Sequence, residues 1–289
     1  MMVCDYLQEQ FDGLASTINR LNLFKDEARS AFQAKYRTLL EHHGQLPEWA
    51  LENEEGWPYF IHYQSPSTAG DLVVSPTRHT LADQVEFNAL QRLKNYHWLL
   101  VEAYETFVKF LGNVYAYCGL HGLAIWQRPE KWNRDGSKKL DDYNTGDKPY
   151  GQLRAFREGC RHFRLNESHG PTRRDYRLQF VVIEKLRHTI VHNGGYCSDF
   201  KRLIDKMQGE LKEMDARKLR EYTSDYFVSH NNRELIDLLE IPVTDAGGNL
   251  TGAYKDIMMS LFRMIIEYSY LILESIKIEQ KTISAPMLV

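Results

Sequence analysis

The sequence predicts an all-α protein. Three observations support this: long stretches in which apolar residues recur at spacings of three and four, helix-capping residues before these stretches, and glycine or proline after them. The chain has 289 residues, of which 43% are hydrophobic and 26% charged, an ordinary composition for a folded protein with a substantial core. We therefore expect a helical bundle domain over residues 80–289, with irregular insertions, preceded by a helical extension and linker over residues 1–79.

The first half of the chain begins with apolar residues at helical spacing, which predict two amphipathic helices within residues 4–43. Residues 44–79 are rich in glycine and proline and predict a long connection, with brief strands in YFIHY and DLVVS. Thr80 and Asp83 then form a capping pair for one long helix that reaches Tyr117. The polar residues 128–149 predict an exposed loop.

The second half predicts a shorter helix over residues 150–164 and a helix that follows Thr172 and Asp175 and ends near His192. Between residues 196 and 250 the pattern favours a helix in EMDARKLREY, a strand in DYFVS and a turn at DAGGNLTG. Residues 251–277 predict a long apolar core helix.

Charge and composition exclude several classes of function. The net charge of −3 gives no overall attraction to nucleic acid, so an RNA partner requires a local basic patch. The four cysteines form no CxxC pair, and the N-terminus lacks a secretion signal, so we expect reduced thiols and a cytoplasmic protein. Arg263 and Glu267 in the last apolar segment argue against a membrane span. Walker, GxGxxG and GxSxG signatures are absent, and we expect no cofactor.

The sequence RHTIVHNGG at residues 187–195 is the strongest functional signal. Five residues turn an ideal helix by about 500°, which leaves Arg187 and His192 about 140° from alignment. Asn193 and the two following glycines predict a left-handed helix end. We expect the backbone to unwind there, so that the long Arg187 side chain and the His192 ring converge.

An arginine and a histidine at one place suit the cleavage of RNA through its own 2'-hydroxyl. Imidazole moves protons near neutral pH, and guanidinium carries a permanent charge with a forked geometry that matches phosphate. This chemistry requires no metal ion.

Arg187, the polar residue His188 and His192, at the end of a bundle helix, resemble the motif of the HEPN superfamily. The resemblance covers about residues 80–280 and implies an all-α HEPN-like bundle that forms a homodimer. It also implies a metal-independent endoribonuclease of toxin–antitoxin or antiviral systems, with an antitoxin or regulatory protein as a possible partner. Arg187 would stabilise phosphoryl charge, His192 would move protons and His188 would assist, in a composite site on the two-fold axis. Gly194 stands where the HEPN toxins paired with nucleotidyltransferase antitoxins usually have tyrosine.

A basic stripe lies upstream of this motif and predicts contacts with the RNA backbone. Its arginines recur at spacings of three and four and are followed by more arginines. With Asn193, the predicted RNA-binding residues are Arg154, Arg157, Arg161, Arg164, Arg173 and Arg174, and Arg177 lies beside them. The alternative is a solvated face whose arginines pair with nearby carboxylates.

Other interpretations of the motif stay open. His192 could cap its helix and Arg187 could cover apolar neighbours with its stem, as cations at helix ends often do. His188 and His192 are four apart and could hold a metal ion with Cys197 or Asp199. At the level of function, the main alternative is a catalytically inactive HEPN-like module that binds a partner protein or nucleic acid.

Overall fold

The architecture was obtained as a computed structural model that describes residues 3–45, 57–59, 62–68, 71–73, 77–128, 139–144, 146, 148–212, 214–245 and 247–284. The protein is mostly helical, as predicted. The α-helices of the described residues are α1 (Val3–Gly44), α2 (Leu81–Leu120), α3 (Pro149–Gly159), α4 (Arg161–His169), α5 (Tyr176–Asn193), α6 (Phe200–Glu210), α7 (Ala216–Ser224) and α8 (Ile257–Ser284).

Short antiparallel strands connect the helices. They are β1 (Trp57–Tyr59), β2 (His62–Gln64), β3 (Asp71–Val73), β4 (Thr77–His79), β5 (Tyr196–Cys197), β6 (Phe227–His230), β7 (Arg233–Ile236), β8 (Ile241–Thr244) and β9 (Leu250–Lys255). β1 pairs with β4, β2 with β3 and β8 with β9, while β7 lies between β5 and β6. β5 therefore joins the end of α5 to a small sheet.

Local signals predicted several helix ends correctly. The Thr80 hydroxyl accepts the backbone N–H of Asp83, whose carboxylate accepts the Thr80 N–H, so α2 begins with a reciprocal cap. Asp175 caps α5 by accepting the N–H of Leu178 at 2.9 Å. Gly194 ends the same helix with φ 61° and ψ 23°, which confirms the predicted left-handed exit.

Three predicted helices differ from the observed ones. Residues 4–43 form one helix rather than two, because no glycine or proline lies between Gly13 and Gly44 to end it. The helix predicted over residues 150–164 is broken at Cys160, whose backbone is extended. The last helix begins at residue 257 rather than 251, since residues 250–255 form β9 and Asp256 accepts the N–H of Met259.

The chain divides into two compact units, one of Met1–Leu23 with Tyr96–Val289 and one of Phe24–Asn95. Helices α1 and α2 each contribute residues to both units. Within the first unit, the ring of Tyr268 on α8 is fully buried and stacks on Phe107, Phe163 and Tyr176. This aromatic cluster joins α2, α4, α5 and α8 into one core.

Within the second unit, β1 to β4 fall in the predicted connection, and β2 and β3 overlap the two predicted strands. Most of the loop predicted over residues 128–149 lies outside the described residues. Cys118, Cys160 and Cys197 are buried free thiols, and the side chain of Cys4 lies outside the description. Among the helices described, none has the length and apolar character that crossing a membrane requires.

Candidate functional site

Helix α5 carries the motif and is positioned by its apolar face. Leu186 and Ile190 are buried in the core, whereas His188 and His192 project from the exposed side. The two imidazole rings are neighbours, with centroids 4.4 Å apart and planes inclined at 49°. Partial burial, then the His192 charge, lowers the pKa of His188, and Lys206 and Lys185 lower it further against the opposing effect of Glu184. A neutral His188 is therefore favoured near neutral pH.

Arg187 makes different contacts from the two histidines. Its guanidinium forms an ion pair with Glu105 of α2 and lies over the ring of Tyr104, with Cζ 5.6 Å from the ring centroid. Its Nε is buried and has no hydrogen-bond partner among the described residues. Arg187 thus joins α5 to α2.

The expected convergence of Arg187 and His192 within one chain is not observed. Helix α5 remains regular through Asn193 and does not unwind at His192, because the helix exit is accommodated by the glycines at 194 and 195. The contacts of Arg187 in the described part of the chain are made with α2, while those of His192 are made with His188. A catalytic site that uses both residues thus needs a second chain or a rearranged arginine.

The predicted basic stripe is not continuous, because the break at Cys160 divides it between α3 and α4. Arg157 forms a bidentate ion pair with Glu167, at 2.5 and 3.0 Å, and Glu167 also accepts a hydrogen bond from Tyr268. Arg174 pairs with Glu267 on α8. These two arginines therefore make the internal pairs that the alternative interpretation predicts.

The other members of the predicted RNA-binding set are more accessible. Arg177 is intermediate in exposure and donates to the backbone carbonyl of Glu210 at 2.8 Å. The remaining side chains are exposed: Arg154, Arg161, Arg164, Arg173 and Asn193. The four arginines provide positive charge on the surface of the first unit, on α3, on α4 and on the loop before α5.

The alternative metal site with His188, His192 and Cys197 or Asp199 finds no support in the described residues, which contain no group of three side chains arranged to hold a metal ion. Asp199 instead caps α6 by accepting the N–H of Arg202 at 2.9 Å.

Sequence analysis did not identify the cations that accompany His188. A pocket beside its ring is also lined by Lys185 on α5 and by Arg202 and Lys206 on α6. Arg202 and Lys206 are four residues apart, just after the Asp199 cap, so they share one face of the helix. That spacing indicates a charged helix face, but only the packing of α6 against α5 brings it to His188.

No protein-family model matches the sequence, and no curated protein or solved structure shows significant similarity to it. The function is therefore argued from the residues and contacts of this chain.

Proposed function

We propose that the protein is a metal-independent, HEPN-like endoribonuclease that acts as a homodimer. The single observation that carries this proposal is the pair of exposed imidazoles, His188 and His192, 4.4 Å apart at the end of α5. Cleavage of RNA through the 2'-hydroxyl needs one group to accept a proton and another to donate one. Two adjacent histidines offer both functions without a metal ion.

The roles of the two rings follow from their surroundings. A neutral imidazole takes the proton of the 2'-hydroxyl, the 2'-oxygen attacks phosphorus, and the bond from phosphorus to the 5'-oxygen breaks. The lowered pKa of His188 suits the accepting role. His192, in its protonated form, delivers a proton to the leaving 5'-oxygen, and the products are a 2',3'-cyclic phosphate and a free 5'-hydroxyl.

In this proposal, Arg187 acts in catalysis only when two copies of the chain form a dimer. Its guanidinium is directed to α2, so a two-fold axis beside α5 would have to bring Arg187 of one copy to the histidines of the other. The ion pair with Glu105 is half exposed, with 29% and 49% of the two side chains accessible, and such pairs contribute about 0.2–1 kcal/mol. Breaking this ion pair is thus energetically inexpensive, although release of the arginine also removes its contact with the Tyr104 ring. The resemblance further suggests a toxin or antiviral effector, controlled by an antitoxin or regulatory protein.

A second candidate function is a catalytically inactive bundle that binds a partner protein or nucleic acid. The observation that favours it is the position of Arg187, which pairs with Glu105, stacks on Tyr104 and places its Nε in a buried position. In that case the arginine serves the packing of α5 on α2, and the exposed histidines have no catalytic role.

Incubation of the purified protein with structured and unstructured RNA in EDTA distinguishes the two functions. Arg187→Ala and His192→Ala are compared with His169→Ala, which changes an exposed histidine on α4. Circular dichroism and light scattering establish that each variant folds and keeps its oligomeric state. The nuclease predicts 2',3'-cyclic phosphate ends from the parent and the His169 variant, and none from the other two.

Glu105→Gln separates a catalytic arginine from a structural one. It removes the ion pair but keeps the guanidinium, so a catalytic Arg187 predicts that cleavage persists in this variant. Cleavage that persists in Arg187→Ala and His192→Ala refutes the assigned site. Absence of cleavage by all proteins, in a correctly folded dimer, favours the binding module.

A further inference from the structure

A small pocket lies between α5 and α6, next to the histidine pair. It has a volume of about 140 Å³ and is lined on the α5 side by Lys185, His188 and Asn193, and on the α6 side by Ser198, Arg202 and Lys206. Pockets for whole small molecules are larger, at about 300–1,000 Å³. The volume therefore fits a compact group such as an inorganic anion, and not a complete nucleotide.

The charges around the pocket are unbalanced. Lys185 is neutralised by Glu184 at 2.8 Å and lies over the ring of Tyr150, so it contributes little net charge. In contrast, Arg202 and Lys206 are exposed, and their side chains have no hydrogen-bond or ion-pair partner among the residues that the structure describes. Asp199 is the carboxylate of the lining, and its Oδ1 accepts the Arg202 backbone N–H in capping α6. Two unpaired cations against one carboxylate leave an excess of positive charge.

The donor types favour a phosphate group. A guanidinium offers two parallel N–H donors to two phosphate oxygens, and an ammonium adds a compact charge that approaches from another direction. The Ser198 hydroxyl and the Asn193 amide add neutral donors. A cationic guest would be repelled by the excess of positive charge.

We propose that the pocket between α5 and α6 binds a phosphate group, held by Arg202 and Lys206. In the RNA complex this group is a backbone phosphate adjacent to the phosphodiester that His188 and His192 cleave, so this part of the inference rests on the proposed function. The phosphate anchors the strand on one side of the histidines, which sets the register of the scissile bond relative to the two rings. The affinity of the protein for RNA then depends on two cations of α6, which lie outside the HEPN-like motif.

Binding of phosphate in the pocket also changes the pKa of His188. Its ring faces charged and titratable groups on both elements of the pocket: Glu184, Lys185 and His192 on α5, and Asp199, Arg202 and Lys206 at or on α6. A bound phosphate places negative charge beside the imidazole and favours its protonated form. The pKa of His188 therefore rises when the pocket is filled, which gives a readout that does not depend on cleavage.

The test uses the full chain and two probes, inorganic phosphate and a 2'-O-methyl oligoribonucleotide, which binds but cannot be cleaved because it lacks the 2'-hydroxyl proton. Arg202→Gln with Lys206→Gln removes both cations. The matched control is Lys201→Gln with Lys218→Gln, which makes the same change of net charge at exposed positions outside the pocket. NMR follows the His188 ring protons, and fluorescence anisotropy follows oligonucleotide binding.

We expect phosphate to raise the pKa of His188 in the parent and the control, and to have no effect in the pocket variant. We expect about a tenfold loss of oligonucleotide affinity in the pocket variant, against about twofold in the control. The slope of log affinity against log salt should fall by about 0.7, the value for the loss of one phosphate contact with single-stranded RNA.

A response of His188 to phosphate with unchanged oligonucleotide affinity supports the phosphate pocket but overturns its role in holding RNA. No response to either probe overturns the proposal. Because neither probe is cleaved, these results are independent of the nuclease: a pocket that binds both probes in a protein that leaves RNA intact refutes the proposed function and keeps the site.

Discussion

Gly195, which follows the histidine motif, is the position where a single methyl group should be most damaging. Its φ is +89°, a region that L residues adopt at a cost of about 1–2 kcal/mol. A Cβ on this residue would lie 2.4 Å from Cε1 of His97. His97 is 1% exposed, and its ring is hydrogen-bonded to the Ile236 carbonyl at 2.9 Å, so it cannot move aside freely. Overpacking of this kind costs about 1–3 kcal/mol, and Gly195→Ala should therefore destabilise the protein by about 2–5 kcal/mol in total.

Gly248→Ala is the matched control, because its φ of +83° carries the same backbone penalty while no atom lies within 4 Å of the added Cβ. We expect this variant to lose only the backbone cost of about 1–2 kcal/mol. Urea unfolding, followed by circular dichroism, measures both changes. Equal losses in the two variants would show that the contact with His97 does not constrain the backbone after α5, and the reasoning would be wrong.

Three further predictions concern individual charged groups. NMR titration should give His188 a pKa below its usual value of about 6.5, and Lys206→Gln should raise it. As the pH falls below about 6.5, the unfolded chain binds a proton at His188 before the folded chain does, so the free energy of unfolding should decrease. A His188 pKa equal to its usual value would contradict this prediction. Glu167→Gln should cost about 2–4 kcal/mol in urea unfolding, because it leaves the largely buried Arg157 guanidinium without its carboxylate, and a loss below 1 kcal/mol would refute the importance of that pair. Arg164→Gln should weaken RNA binding, measured by anisotropy, by about twofold to fivefold without loss of stability.

The features predicted correctly from the sequence depend on residues that are near each other in the chain. Asp175 and Gly194 specify the beginning and end of α5, and their signals act within one turn of the helix. The exposed imidazoles at His188 and His192 follow from their spacing of four on a helix whose other face is apolar. These parts of the site could be predicted because no distant residue is needed to produce them.

The partners of the arginines could not be predicted in the same way. Arg157 and Arg174 look equivalent to the exposed arginines in sequence, yet each meets a glutamate from another element, Glu167 and Glu267. Arg187 pairs with Glu105, which is 82 positions away. Periodicity identifies the face of a helix on which a charge lies but not the helix that packs against that face. Long-range ion pairs therefore decide which predicted cations remain available to RNA.

The two sides of α5 pack against different helices and therefore have different roles. Arg187 contacts α2 on one side, whereas His188 lines the pocket formed with α6 on the other. Within one chain, the cations that line the pocket beside His188 are Lys185 of α5 and Arg202 and Lys206 of α6, and the arginine of the motif is not among them. If Arg187 acts in catalysis, it does so in a second copy of the chain, and a monomeric variant should lose cleavage while the phosphate pocket keeps its affinity. If Arg187 is structural, no cleavage is expected, and the pocket between α5 and α6 should still bind phosphate and the uncleavable oligonucleotide.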